Sequence, residues 1–128
     1  MEHYLNNKKI GKIGEDKACE FLINKKYKIL FRNYRQKFDE IDIITRSFDG
    51  TLVFIEVKTL TVGSLDNLIP EDNLTTNKLK KLIRACSLFA GFNKKFINEK
   101  KGWRLDLIAI TIDNKNGDKI SHYENIIE

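Results

Sequence analysis

The sequence predicts a single α/β domain, ordered αβββαβ, with a mixed central sheet of four to five strands flanked by helices. Three observations predict it. Apolar residues recur at helical spacing in two separated stretches, strand-like runs with turn signals lie between and after them, and 128 residues suit one core. The first helix is expected from about Lys12 to Lys25, where Ala18, Cys19, Phe21 and Leu22 form one face, with Gly11 and Gly14 marking a loose entry. Tyr27 to Tyr34, Glu40 to Arg46 and Thr51 to Thr59 read as three strands, the last two joined by a turn at Ser47–Gly50. Residues 61–74 hold the only proline and show no period, as a functional or mobile connection would. The second helix is expected from about Thr76 to Ala90, with a stripe of Leu79, Leu82, Ile83, Cys86, Phe89 and Ala90. Trp103 to Ile112 is the fourth strand, and a short fifth follows near Ile120–Tyr123 after the turn at Asn116–Asp118.

Composition narrows the class. Hydrophobic residues make up 41% of the chain and charged residues 32%, as in a soluble globular protein. No apolar run approaches the roughly 18 residues needed to cross a membrane. The opening MEHYLNNKKIGK lacks the apolar middle of a secretory signal. Cys19 and Cys86 are far apart and read as reduced core thiols, so a cytoplasmic location is expected. Two scattered histidines, His3 and His122, argue against a histidine-based zinc site. The net charge is +5 and unevenly spread. Residues 73–104 hold nine basic residues and one acid, and residues 1–37 hold ten basic residues and four acids. Basic ends around an acidic middle suit a polyanion bound near metal ions.

The acidic middle carries the chemistry. In EIDIITRSFDGTLVFIEVKTL, residues 40–60, Asp42, Glu56 and Lys58 interrupt runs that would otherwise be all core. Leu52, Phe54, Glu56 and Lys58 share one face of their strand, and Val53, Ile55 and Val57 share the other. The turn decides whether the carboxylates meet. A two-residue loop would pair Asp42 with Val57. A three-residue loop, with Gly50 in the left-handed position, pairs Ser47 with Thr51 and Asp42 with Glu56, their Cβ atoms about 5 Å apart. The second register is the one expected. Two carboxylates so close need a partner, and a hard divalent cation such as Mg²⁺ supplies one. Spacing alone leaves open a structural salt bridge from Lys58 to Asp42 or Glu56. Glu15 lies at the centre of the apolar face of the first helix; it is either aimed at the sheet or a first-turn acid favoured by the helix dipole.

At these residues the chain resembles the YraN family, bacterial proteins with a restriction-endonuclease-like, PD-(D/E)xK fold related to Holliday junction resolvases. The resemblance rests on IGKIGEDKACEFLINKKYKILFRNYR, EIDII, LVFIEVKT, a lysine opening the second helix and WRLDLIAI, from about Ile10 to Ile112. It implies a divalent-metal-dependent nuclease hydrolysing phosphodiesters in DNA, branched DNA among the candidates, or a catalytically inactive nucleic-acid-binding module on the same fold. A domain that binds only protein is a third reading. Carried over, Asp42 and Glu56 are metal ligands for Mg²⁺ (or Mn²⁺), aided by the Val57 carbonyl. Lys58 positions water, and Glu15 is an auxiliary ligand or orienter. Arg32 and Arg35, expected on opposite faces of their strand, match the N-Y-R segment with Asn33. Lys78 matches the lysine at the head of the second helix. Arg104 and Asp106 match the R-x-D of the fourth strand, where a mutual ion pair is the alternative to phosphate contact. Arg32, Arg35, Lys78, Lys81 and Arg104 are the candidate nucleic-acid contacts. Tyr34, Phe38 and Trp103 read as core aromatics before base-stacking ones. Junction resolution needs two active sites, so a homodimer is expected if that activity is present. In three places the chain departs from the pattern: Ile41 replaces the superfamily proline, as is usual for the family, Asp39 replaces a glycine and adds negative charge beside the site, and Leu60 stands where a basic residue often follows.

Overall fold

The computed structural model describes residues 2–37, 39–62 and 74–127, with the side chains of the first helix from residue 8 onward. The helix α1 (Glu2–Asn24) is followed by strands β1 (Lys28–Gln36), β2 (Asp39–Arg46) and β3 (Leu52–Thr61), helix α2 (Thr76–Phe92), a 3-10 turn at Lys94–Phe96, and strands β4 (Trp103–Ile112) and β5 (Lys119–Tyr123). The five strands form one sheet in sequence order; β3 and β4 run parallel and the other neighbours antiparallel. Among the described residues the chain is thus a mixed α/β fold with two α-helices, the architecture expected at its coarser level. Phe38, the side chain of His3 and residues 63–73 of the expected connection lie outside the described residues.

The helices cover opposite faces. Ala18, Cys19 and Leu22 of α1 pack on Ile43, Val53, Ile55, Ile108 and Ile110. Leu82, Ala85, Cys86 and Phe89 of α2 pack on Ile44, Leu52, Phe54 and Leu105. Strand β3 is therefore central, its alternate residues buried on both sides. Tyr34 and Trp103 belong to the α2-side core, meeting Phe89 and Phe54 edge-to-face at ring distances of 5.0 and 5.3 Å. Both cysteines are buried and unbridged. Thr75 caps α2, its hydroxyl accepting from the Lys78 N–H at 3.2 Å. The 47–51 turn matches the three-residue reading: Ser47 N–H donates to Thr51 O at 2.9 Å, and Gly50 has φ +95°.

One boundary differs from expectation. Helix α1 begins ten residues before Lys12, so Gly11 and Gly14 lie inside it rather than at its entry. Each glycine costs a helix interior about 0.5–1 kcal/mol relative to alanine. At Gly14 tertiary contact explains the choice. A Cβ there would stand 1.9 Å from Thr59 Oγ1 and 2.9 Å from Thr59 Cβ and Cγ2, so α1 lies directly on β3. Packing, which propensity does not report, overrides the local cost.

Gly14→Ala should therefore destabilise the fold by about 1–3 kcal/mol in urea unfolding, although alanine is the better helix former. Adding Thr59→Ala should recover part of the loss, because it removes Oγ1 and Cγ2. An unchanged or raised midpoint for Gly14→Ala alone would show that α1 does not depend on this approach.

Candidate active site

The strand pair β2–β3 opens where the carboxylates stand. Its ladder runs from Arg46↔Leu52 to Ile43↔Ile55, and one more step along the same register sets Asp42 opposite Glu56. At that step a side chain replaces backbone pairing: the Val57 N–H donates to Asp42 Oδ2 at 2.8 Å. The faces also exchange there. Ile44 and Ile41 pack on the α2 side and Ile43 on the α1 side, so the alternation of β2 slips between Ile41 and Ile43. Strand β1 slips beside it. Arg32↔Ile43 and Tyr34↔Ile41 are paired, and between them Asn33 adopts φ +51°, a left-handed conformation that asparagine tolerates better than most residues. Asp42 thus sits in the opening between the two faces of the sheet.

Each face brings groups to it. From the α2 side come Glu56 and Lys58, continuing the stripe of Leu52 and Phe54. Glu56 shares a cleft of about 180 Å³ with Asp39, Glu40, Lys78, Lys81 and Leu82. From the α1 side comes Glu15, one residue after the Gly14 contact. With its amide nitrogen turned to the carboxylates, Asn33 donates to Glu15 Oε1 at 2.8 Å and to Glu40 Oε1 at 3.2 Å. Asp39 is held by Arg84 of α2 through two contacts of 3.1 and 2.9 Å, which offset the charge it adds.

The electrostatics follow. Burial raises the Asp42 carboxyl to about 8; hydrogen bonding to Glu56 and repulsion by its charge add to this, while the Val57 N–H and Lys58 pull the other way. Asp42 therefore keeps its proton well above the normal carboxylate range. Glu15 is also raised, first by burial and then by Asp42, against Arg32 and the Asn33 hydrogen bond. Asp42, Glu56 and the Val57 carbonyl could hold a metal ion. They offer oxygen only, the donor set of a hard cation such as Mg²⁺ or Mn²⁺ rather than of zinc.

Of the sequence candidates, Glu15, Asp42, Glu56 and Lys58 come together, and Lys78 and Lys81 flank Glu56. The slip in β1 revises the two arginines: Tyr34 faces α2, so Arg35 shares the α1 side with Arg32 instead of opposing it. Arg32 pairs with Asp16 at 2.8 Å and Arg35 with Glu40 at 3.4 Å. The structure places Arg104 elsewhere, opposite Val53 near the start of β3. Its guanidinium contacts Asp106 at 3.0 Å, Glu124 at 2.9 Å and the Tyr27 hydroxyl at 2.8 Å. Asp106, fully buried, also accepts from His122 Nε2 and the Asn125 N–H, both at 2.8 Å. Asp106, His122 and Glu124 have ligand spacing, but Arg104 neutralises the group and Lys25 Nζ lies 3.0 Å from the other ring nitrogen of His122. That cluster ties β4 and β5 to the start of β1. Sequence reasoning passed over Asn33 and Glu40 as members of the site. The available signal was an asparagine, a poor strand former, in the middle of a strand.

The sequence model of the uncharacterised protein family UPF0102 matches residues 14–110, a span that includes every carboxylate of the site. The chain belongs to the UPF0102 (YraN) family. It is 41% identical over 115 residues to a UPF0102 protein of Chlorobium limicola, covering 89% of this chain and 84% of that one. It is 38% identical over 118 residues to one of Persephonella marina, covering 92% of each chain. A third, from Flavobacterium johnsoniae, is 38% identical over 112 residues, or 88% of this chain and 86% of its own. The UPF0102 relatives carry no activity in their names, so chemistry must be argued from the site.

Two outcomes are expected. A carboxyl raised on folding stabilises the fold fully below its unfolded value near 3.8, and this contribution is lost as pH rises through about 8. Asp42→Asn keeps an acceptor for Val57 and removes the charge. In EDTA it should match wild type near pH 5 and be more stable at pH 8.5 by about 1–3 kcal/mol in urea unfolding; equal midpoints at pH 8.5 would contradict the pairing. Arg104→Ala should lower stability by about 3 kcal/mol, leaving Asp106 buried without its cation, while nucleic-acid binding at low salt stays within twofold of wild type. A large binding loss with stability intact would return Arg104 to the ligand surface.

Proposed function

We propose that this UPF0102 protein is a divalent-metal-dependent nuclease that hydrolyses phosphodiesters in DNA, branched forms included. The observation that carries the reading is the Asp42–Glu56 pair at the open end of β2–β3, with Lys58 beside it and Glu15 reaching Asp42 from the other face. A resting ion pair would account for one carboxylate and Lys58. It does not account for three carboxylates sharing a partly desolvated opening, an arrangement that favours a cation. The mixed sheet with helices on both faces supports the restriction-endonuclease-like framework that the resemblance implies.

Asp42 and Glu56, with the Val57 carbonyl, would hold Mg²⁺ or Mn²⁺. The ion would stabilise charge on the phosphate and lower the pKa of an attacking water. The chain's own groups do the rest. Val57 N–H fixes the Asp42 carboxylate, so the ligand does not rotate away. Lys58 offers a compact ammonium that holds the water or meets charge growing on phosphate oxygens. Asn33 ties Glu15 to Glu40 and orients Glu15 toward Asp42. Lys78 and Lys81 border Glu56 and attract the phosphate backbone. A junction substrate would require two copies of the chain, one for each cut.

The test is incubation with Mg²⁺ or Mn²⁺ and single-stranded, duplex and four-way DNA, beside Glu56→Ala and Lys58→Ala. Wild type should cut at least one form, and each substitution should slow cutting by about a hundredfold or more. At subsaturating Mg²⁺ the rate should climb with pH until about 8 and then level, because metal must displace the Asp42 proton. Cutting that survives both substitutions would mark a contaminant. Binding without cutting would leave a nucleic-acid-binding module on the same framework.

A further inference from the structure

Helix α1 raises a question that the carboxylates do not answer. Gly14 is explained by Thr59, but Gly11 is not: among the described residues, a Cβ added there meets nothing within 4 Å. No described packing contact calls for a glycine at that position, and a helix interior is weakened by it. Glycine also serves where a ligand must come close to backbone. Gly11 lies in such a place. Together with Lys8, Lys12, Glu15, Arg32 and Asn33 it lines a cleft of about 540 Å³ on the α1 side. Three cations rim that cleft, and Glu15 and Asn33 connect its floor to the Asp42 opening. Asp16 stands beside the cations, 2.8 Å from Arg32 and 3.9 Å from Lys12.

Resting on the nuclease reading, we propose that this cleft is a phosphate subsite for the nucleotide next to the one at Asp42 and Glu56. The substrate strand then lies on the helix surface at Gly11, and its phosphate takes over Lys12 and Arg32 from the Asp16 carboxylate. Lys78 and Lys81 lie on the α2 side of the same opening. The strand therefore crosses the sheet end from one basic cleft to the other, with the carboxylates midway. A strand following this path must be peeled from its complement, because the opening lies between the two covered faces of the sheet. The site thus favours single-stranded or branch-point DNA over continuous duplex.

The decisive variant is Gly11→Leu, which fills the cleft floor and improves helix propensity. Its partner is Arg32→Gln. Binding is read by fluorescence anisotropy in EDTA, with labelled single-stranded, duplex and four-way DNA at several salt concentrations, so cutting plays no part. Gly11→Leu should bind single-stranded and four-way DNA at least tenfold more weakly, with a thermal midpoint equal to or above wild type. Arg32→Gln should weaken binding severalfold and lower the salt slope by roughly 0.7 to 0.9. Lys95→Ala, at the opposite end of the molecule beside Phe96, should bind as wild type. Wild-type affinity in Gly11→Leu would overturn the subsite while leaving the nuclease reading intact. Tighter binding to continuous duplex than to the other probes would overturn the strand path. Binding that falls with Gly11→Leu in a protein that never cuts would keep the subsite and overturn the nuclease. No binding of any probe by wild type would overturn both.

Discussion

The site depends on one substitution of side chain for backbone. Between β2 and β3 the ladder stops at Ile43↔Ile55, and the next amide, Val57 N–H, is taken by the Asp42 carboxylate. A buried N–H must be paired, so Asp42 is held in place by a need of the sheet itself. The same act strands a carboxylate beside Glu56 in a partly desolvated opening. Stability and chemistry thereby meet in one residue: the group that closes the sheet end is also the one whose charge is hardest to sustain.

The helices turn that opening into a site by approaching it from opposite faces. On one, Gly14 lets α1 lie on Thr59, so that Glu15 comes within the field of Asp42. On the other, α2 carries Lys78 and Lys81 to the rim of Glu56. Charges interact strongly across such short, partly dry distances. Small shifts of either helix would therefore change the balance of the carboxylates. The buried Arg104–Asp106–His122 network works at the far end, where it binds β4, β5 and the start of β1 into one unit. It holds the sheet without touching the chemistry.

Much of this was legible in the residues. Alternation in Thr51–Thr59 gave both faces of β3, and Gly50 selected the turn and with it the opposition of Asp42 and Glu56. What could not be read was tertiary. Glycines inside α1 looked like a loose entry because propensity does not see Thr59. The two arginines of β1 looked opposed because a strict period of two does not anticipate the slip at Asn33. Arg104 carried two readings until Asp106, Glu124 and Tyr27 were seen around it; two of these three partners, Tyr27 and Glu124, lie far away in sequence.

Asp39 shows how such contacts decide the meaning of a substitution. The aspartate at position 39 adds charge beside the carboxylates of the site, and in isolation it should weaken the site. The structure gives that charge to Arg84, which meets both oxygens from α2. Asp39 lies at the start of β2, three residues before Asp42, so the pair also fastens α2 to the strand that carries the central carboxylate. Arg84 is thereby drawn from the basic face of α2, which leaves Lys78 and Lys81 as the cations of the cleft at Glu56. The charge that Asp39 brings to the sheet end is thus balanced within the fold by a cation of the neighbouring helix.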